Sequence, residues 1–353
     1  MTNNKTAQAN FFEDFRCGQT FAHATPRTIT AGDVALYTGL YGARFAVQSA
    51  DTFACALGYP RSPIDDLLVF HIVFGKTVPD ISLNAVANLG YADCRFLVPV
   101  YPGDTLTADS EVLGLKENSS RETGVVHVRS TGRNQRGETV LSYVRWVMVR
   151  KRSKDAIVVQ SPPPPTMPDR IDPSSLGLAV PPLDPQRWDS ARAGSPFSWG
   201  DYAAGERIDH VDGATIEEAE HQIATRLYQN TAKVHFNQHT EGQGRFGRRL
   251  IYGGVIISIA RALSFNGLGS SFHVAAINGG RHVAPAFAGD TIYAWSEILE
   301  TAALPSRADV GALRVRTIAT KNIACSGFPG ASDTGSYADG VVLDFDYWVL
   351  SPR

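Results

Sequence analysis

The sequence predicts an α+β fold made of two tandem copies of one unit, each an antiparallel sheet wrapped around a long central helix. Three observations carry this. Blocks of residues recur at a nearly constant shift, one apolar run reads as a buried helix, and each copy continues as alternating strands after a Gly-Asp-Thr turn. In the recurrence, Gly18 pairs with Gly205, His23 with His210, Thr28-Ile29 with Thr215-Ile216 and Leu40-Tyr41 with Leu227-Tyr228. Farther on, the stretch from Arg95 to Leu106 matches that from Arg281 to Ile292, and Trp146 answers Trp348. Matched blocks kept in one order point to duplication. We therefore divide the chain into an N-terminal repeat over 11–155, a Pro-rich linker over 156–200 and a C-terminal repeat over 201–353.

At 353 residues the chain can hold two sizeable cores. Apolar content of 43%, with 19% charged residues, describes a globular protein and not a disordered one. A formal net charge of -2 offers no cationic field for nucleic acid or an anionic membrane, and neither is expected as a partner. The four cysteines, Cys17, Cys55, Cys94 and Cys325, lack any C-x-x-C pair, which fits reduced thiols in a cytoplasmic setting. The N-terminal residues are polar, without the apolar core of a signal peptide, and no run is long enough to span a bilayer.

In chain order, Asp33 can begin a helix that spaces Val34, Leu36, Tyr37 and Leu40 on one face, and the second copy repeats it from Thr215. Strands are predicted over 105–112, 124–130, 139–149 and 313–318. The linker starts at Ser161 with four prolines and continues through Pro185, a composition that favours extended structure. Gly253-Gly254 leads into Val255 to Leu263, apolar on nearly every side, which reads as the helix buried at the centre of its copy. Just before it, Tyr228 to His235 places an amide, Asn230, five positions from an imidazole, His235.

The order of helix, short polar motif, buried helix and Gly-Asp-Thr turn resembles the MaoC-like hydratases, and the duplication resembles their double hot-dog members. The wording from Leu227 to Gln238, followed by Arg249-Leu-Ile-Tyr-Gly-Gly254, is most similar to members acting on mesaconyl-CoA. The resemblance implies a double hot-dog fold and a hydro-lyase that adds water reversibly to mesaconyl-CoA (2-methylfumaryl-CoA), giving β-methylmalyl-CoA, in acetate or glyoxylate-linked carbon assimilation. It implies an acyl-CoA partner, no separate cofactor because coenzyme A is part of the substrate, and a homodimer. Other readings are an (R)-specific hydratase of longer enoyl-CoAs, a thioesterase, and a non-catalytic acyl-CoA-binding protein.

Carried over by residue, the resemblance makes His235 the proton-transferring group and Gly253 the donor to the thioester oxygen, with Tyr252-Gly253 standing where the family commonly has His-Gly. Asn230 stands where the family usually has Asp. A neutral amide can hold water through hydrogen bonds and cannot act as a base, so Asn230 is assigned to positioning. A carboxylate, if required, could come from Asp201, Glu241 or the substrate. Gly254, Tyr252, Gln238, His239, Lys233, Arg245 and Arg249 are the candidate substrate-binding residues, with Arg44 also considered for the substrate's carboxylate. Arg281, Asp104, Asp290, Tyr228 and His210 are read as structural because the first copy keeps them. In that copy Asn230 faces Ala43, His235 faces Gln48, and Asp65-Asp66 stand near the place of Gly253, so one competent site is expected, in the second half. His235 and His239 lack the context of a metal motif, and no metal is expected.

Overall fold

The computed structural model describes residues 5–6, 9–158, 162–305 and 307–353. Ser161, where the proline run of the expected linker starts, and part of the polar N-terminal stretch lie outside them. The first half contributes strands β1 (Thr20–Thr28), β2 (Ala85–Phe96), β3 (Thr105–Glu117), β4 (Thr123–Arg133) and β5 (Thr139–Arg150). The second contributes β6 (Arg207–Thr215), β7 (His273–His282), β8 (Thr291–Ala303), β9 (Val310–Lys321) and β10 (Val341–Pro352). All ten join one antiparallel sheet in the order β1-β3-β4-β5-β2-β7-β10-β9-β8-β6. Exchanging the halves reverses that order onto itself. The two copies are thus related by a pseudo-twofold through the β2–β7 seam, where Tyr91 faces Gly280 and Cys94 faces Ile277.

A central helix lies in each half: Asp66–Thr77 in the first and Gly253–Leu263 in the second. Every residue from Leu67 to Thr77 is buried, as is every residue from Gly254 to Arg261. A helix without a wet face needs cover on all sides, and one apolar cluster containing both helices and the strands around them supplies it. The fold is the predicted α+β double hot-dog.

Element boundaries follow local chemistry. Thr30 and Asp33 cap the helix Ala31–Tyr41 reciprocally, so it starts two residues before the expected Asp33. The matching helix, Glu218–Leu227, begins after Thr215 because that residue closes β6. The Gly-Asp-Thr turns are held by their acids: Asp104 accepts from the Tyr101 amide and Asp290 from the Phe287 amide, each at 2.9 Å. Beyond Pro168 the linker is not a loose spacer. Ile171, Leu176, Val180 and Leu183 bury against Trp348 and Leu350, and Trp348 Nε1 donates to the Ile171 carbonyl.

One contact ties the halves together beneath the predicted polar motif. A Cβ on Gly75, in the first central helix, would lie 1.7 Å from the Tyr228 carbonyl oxygen and 3.3 Å from the Asn230 amide nitrogen. No side chain fits there. Gly75→Ala should therefore cost roughly 3 kcal/mol or more of stability through forced displacement. Gly39→Ala, on an exposed helical surface with open space around it, should stabilise by about 0.5–1 kcal/mol. Urea unfolding of both variants beside the parent checks the pair.

Candidate functional site

Glu218–Leu227 ends with Tyr228, after which Gln229 turns the chain with φ of 56°. That places Asn230 at the head of a tight loop, its amide bonded to the Thr225 carbonyl at 2.9 Å. The Asn230 side-chain oxygen accepts from the Ala232 amide at 3.3 Å, which orients the NH2 group as the remaining donor. A short helical turn, Lys233–Phe236, then carries His235. Its Nδ1 lies 3.0 Å from the Leu250 carbonyl oxygen. A carbonyl can only accept, so Nδ1 bears the hydrogen and Nε2 keeps a lone pair in the neutral ring. Burial pushes the imidazole down to about 4, against the lesser opposing effect of that carbonyl. His235 is neutral at pH 7, a base and not an acid.

A cavity of about 710 Å³ opens beside these groups, lined by Asn230, His235, Tyr252, Gly253 and Arg245 among the predicted residues. Gly253 opens the second central helix, and its backbone N–H has no hydrogen-bond partner among the described residues, as the first turn of a helix leaves it. The Tyr252 amide before it donates to His221 Nε2 at 3.0 Å. The Tyr252 ring lies 5.5 Å from that of His235, centroid to centroid.

The glycine at 253 has a reason that the sequence did not disclose. A Cβ there would be 2.2 Å from Cε1 of His282, so close approach by a second imidazole already requires the glycine. His282 borders the same cavity, and its Nε2 lies 3.3 Å from the Tyr91 hydroxyl. Burial, then the nearby His235, push it down to about 4. Sequence reasoning passed over His282 although a signal existed: the repeat aligns it with Phe96, a gain of chemistry in the second copy like that at His235.

Other predicted residues stand apart. Gly254 packs against Tyr252 and His71 and does not line the cavity, nor do Gln238, His239, Lys233 and Arg249. Arg249 is committed to Glu218 and Gln222, because its loop folds back on the helix Glu218–Leu227. Gln238 accepts from the Arg249 amide, Lys233 bonds Asn84, and His239 is exposed. Arg44 stacks on Phe265, and neither Asp201 nor Glu241 reaches the cavity. Arg281, read as structural, is instead exposed at the cavity and has no ion pair among the described residues, whereas its counterpart Arg95 pairs with Asp93. Tyr228 is fully buried and donates to the Tyr41 hydroxyl, and His210 bonds Asn266 and Ser296 within the fold.

The first half closes its equivalent site with its own acids. Asp65 caps its central helix by accepting from the Leu67 amide, and Asp66 accepts from the Val274 amide while lying 2.9 Å from His273 Nδ1. Gln48 donates to the Phe272 carbonyl. The helix start that would receive an anionic oxygen is already occupied by carboxylates.

Comparison with known proteins adds a family. The profile of the family described as mesaconyl-CoA hydratase matches residues 2–331. A β-methylmalyl-CoA dehydratase of Chloroflexus aurantiacus is 62% identical over 99% of both chains. A mesaconyl-CoA hydratase of Cereibacter sphaeroides is 56% identical over 99% of this chain and 100% of its own. Among solved structures, a MaoC domain protein dehydratase from Chloroflexus aurantiacus superposes with a TM-score of 0.96 at 61% identity, covering 99% of each chain. A double-hotdog protein of Mycobacterium tuberculosis gives 0.72 at 27%, covering 97% and 98%.

The imidazoles withdrawn from water carry a pH consequence. Desolvation holds His71 and His221 at about 3 and His210, His235 and His282 at about 4, each below the ordinary 6.5 of the unfolded chain. Between those values the unfolded state binds more protons, so stability is present above about pH 6.5 and lost as pH falls. Each group adds a slope of about 1.4 kcal/mol per pH unit, while Asp65, raised to about 6 by burial and by Asp66, opposes with one. The thermal midpoint should fall steeply from pH 7 to pH 5 at constant ionic strength.

Proposed function

The chain belongs to the mesaconyl-CoA hydratase family, and from that premise we infer that it catalyses reversible hydration of mesaconyl-CoA to β-methylmalyl-CoA. The observation that carries the reading is a neutral imidazole, His235, sharing one cavity with the unpaired amide of a helix start, Gly253.

Addition of water to an enoyl thioester needs a base for the water, a donor for the thioester oxygen as charge develops, and a proton for the α-carbon. His235 Nε2 takes the water's proton, while the Leu250 carbonyl keeps the ring in the tautomer that can do so. Asn230 holds the water through its amide, its oxygen already anchored at Ala232. The Gly253 N–H donates to the thioester oxygen, where a helix start adds partial positive charge. The imidazolium formed at His235 returns the proton to the α-carbon as the enolate collapses. No electrons leave the substrate, so the chemistry asks for no redox cofactor. Arg245 and Arg281 suit the coenzyme's phosphates, being exposed cations at the cavity without an ion pair among the described residues. Homodimer assembly and a cytoplasmic location complete the proposal; no helix among the described residues is long and apolar enough to cross a membrane.

The test is a panel of enoyl-CoA thioesters assayed for water addition. Mesaconyl-CoA should exceed crotonyl-CoA in kcat/KM. His235→Ala should lower kcat by about 100- to 10,000-fold, and Asn230→Ala should cost less than that. Full turnover by His235→Ala would remove the assignment of the base.

A further inference from the structure

A buried cation borders the cavity without a counter-charge, and it comes from the half that has no catalytic motif. Arg145, on β5, has no solvent exposure and forms no ion pair among the described residues. Its guanidinium stacks on Phe74, 4.2 Å from the ring centroid, and its Nη2 donates to Thr77 Oγ1 at 2.8 Å and to Ser82 Oγ at 3.3 Å. Nε and Nη1 have no hydrogen-bond partner among the described residues. Nearby Asn88, on β2, has neither its amide oxygen nor its amide nitrogen partnered among the described residues. Arg145, Asn88 and Ser82 all border the cavity that holds His235 and Gly253. Tyr91 links the two ends: it faces Arg145 across the β2–β5 ladder, and its hydroxyl meets His282.

Such an arrangement is costly for the protein alone. An unpaired buried charge forfeits its hydration, and each polar group left unbonded adds to that cost. One ring face and two hydroxyls offset part of this. The second half shows how the fold treats a buried arginine that has only a structural task. Arg261, in the second central helix, stacks on Phe45 and bonds Ser264 and Ser271, and the carboxylates Asp65 and Asp66 balance its charge. Around Arg145 the titrating neighbours are phenols: Tyr143, Tyr91 and Tyr252. The negative partner has to come from elsewhere.

We propose that Arg145, with Asn88 and Ser82, binds a carboxylate at the far end of a short acyl chain, so that the catalytically silent half selects dicarboxylic acyl-CoA substrates. The proposal rests on the hydratase reading above and names how its substrate is chosen. A carboxylate brought by the acyl group supplies the missing charge and accepts from Nε, Nη1 and the Asn88 amide, while the thioester end lies at Gly253. An acyl chain ending in a methyl would leave the cation unpaired, which is the penalty that enforces selection.

Arg145→Gln should lower the ratio of kcat/KM for mesaconyl-CoA over crotonyl-CoA by about 100-fold or more, the cost of breaking a buried hydrogen-bonded charge pair. Arg145→Lys should lie between, keeping the charge but not the donors. Affinity gives an arm independent of turnover: by calorimetry, Arg145→Gln should weaken succinyl-CoA by a similar factor relative to butyryl-CoA. Where Arg145→Gln fails to fold, Asn88→Leu decides by the same two ratios, with a loss of about tenfold expected for one hydrogen bond to a charged group. Ratios unchanged in the folded variants, or equal losses on both members of each pair, overturn the proposal and leave Arg145 a structural cation. Absence of mesaconyl-CoA hydration by the parent protein would instead sink the functional reading, and the affinity ratio would still decide the role of Arg145.

Discussion

The contact between Gly75 and the Tyr228 carbonyl governs how the two halves can make one site. The first central helix passes so close to the end of Glu218–Leu227 that a methyl group at Gly75 would overlap backbone. The chain must turn away at once, and Gln229 does so at φ of 56°, held by Lys76 from the same helix. In the first copy the matching position is Gly42, at φ of 63°, where the left-handed conformation costs nothing. A non-glycine residue accepts roughly 1–2 kcal/mol of strain there. The return is position: Asn230 follows directly, and its amide and side chain are both fixed by the turn.

The second dependence is desolvation. His221 receives the Tyr252 amide, His235 donates to Leu250, and His71 meets Tyr252 and Ser258. These bonds set tautomers, and burial removes the charge. Neutral rings in a low-dielectric pocket make His235 a base whose lone pair does not depend on small pH changes, at the expense of stability in acid. Arg145 has no solvent exposure, and that burial strengthens its attraction for a carboxylate, so selection of substrate and activation of water both draw on desolvated side chains.

Much of the architecture was legible because duplication is a comparison contained within the chain. Repeated blocks located the halves, and the all-apolar run from Val255 located a central helix now seen to start at Gly253. The losses at Ala43, Gln48 and Asp65-Asp66 singled out the second copy. What could not be read were partners that meet through the β2–β7 seam. Arg145 lies 90 residues before His235, and no local pattern marks it. Its repeat partner by the tryptophan alignment is Tyr347, while Phe74, on which Arg145 stacks, aligns with Arg261 at the shift of 187 that pairs Gly18 with Gly205, so aromatic and cation exchange places between strand and helix and the contrast is hidden. The candidate cluster around 238–249 divides for a different reason: Arg245 borders the cavity, whereas Gln238, His239 and Arg249 do not. Proximity in sequence to His235 suggested a shared wall, but Arg249 turns away from it and binds Glu218.

The degenerate copy therefore is not merely a remnant that completes a sheet. A duplicated fold offers two equivalent places for a site, one at each central helix start, related by the pseudo-twofold. Once Asp65 and Asp66 occupy one helix start, that site no longer needs to admit a ligand, and its strands are free to change for the benefit of the other. Arg145 and Asn88 fit that description, because Phe74, Thr77 and Ser82 satisfy the buried cation only in part and the Asn88 amide has no partner among the described residues. Tyr91 sits where the two contributions meet, across from Arg145 on one side and against His282 on the other. Loss of chemistry in one repeat and gain of recognition in the surviving site are then two parts of a single asymmetry, imposed by walls that both copies share.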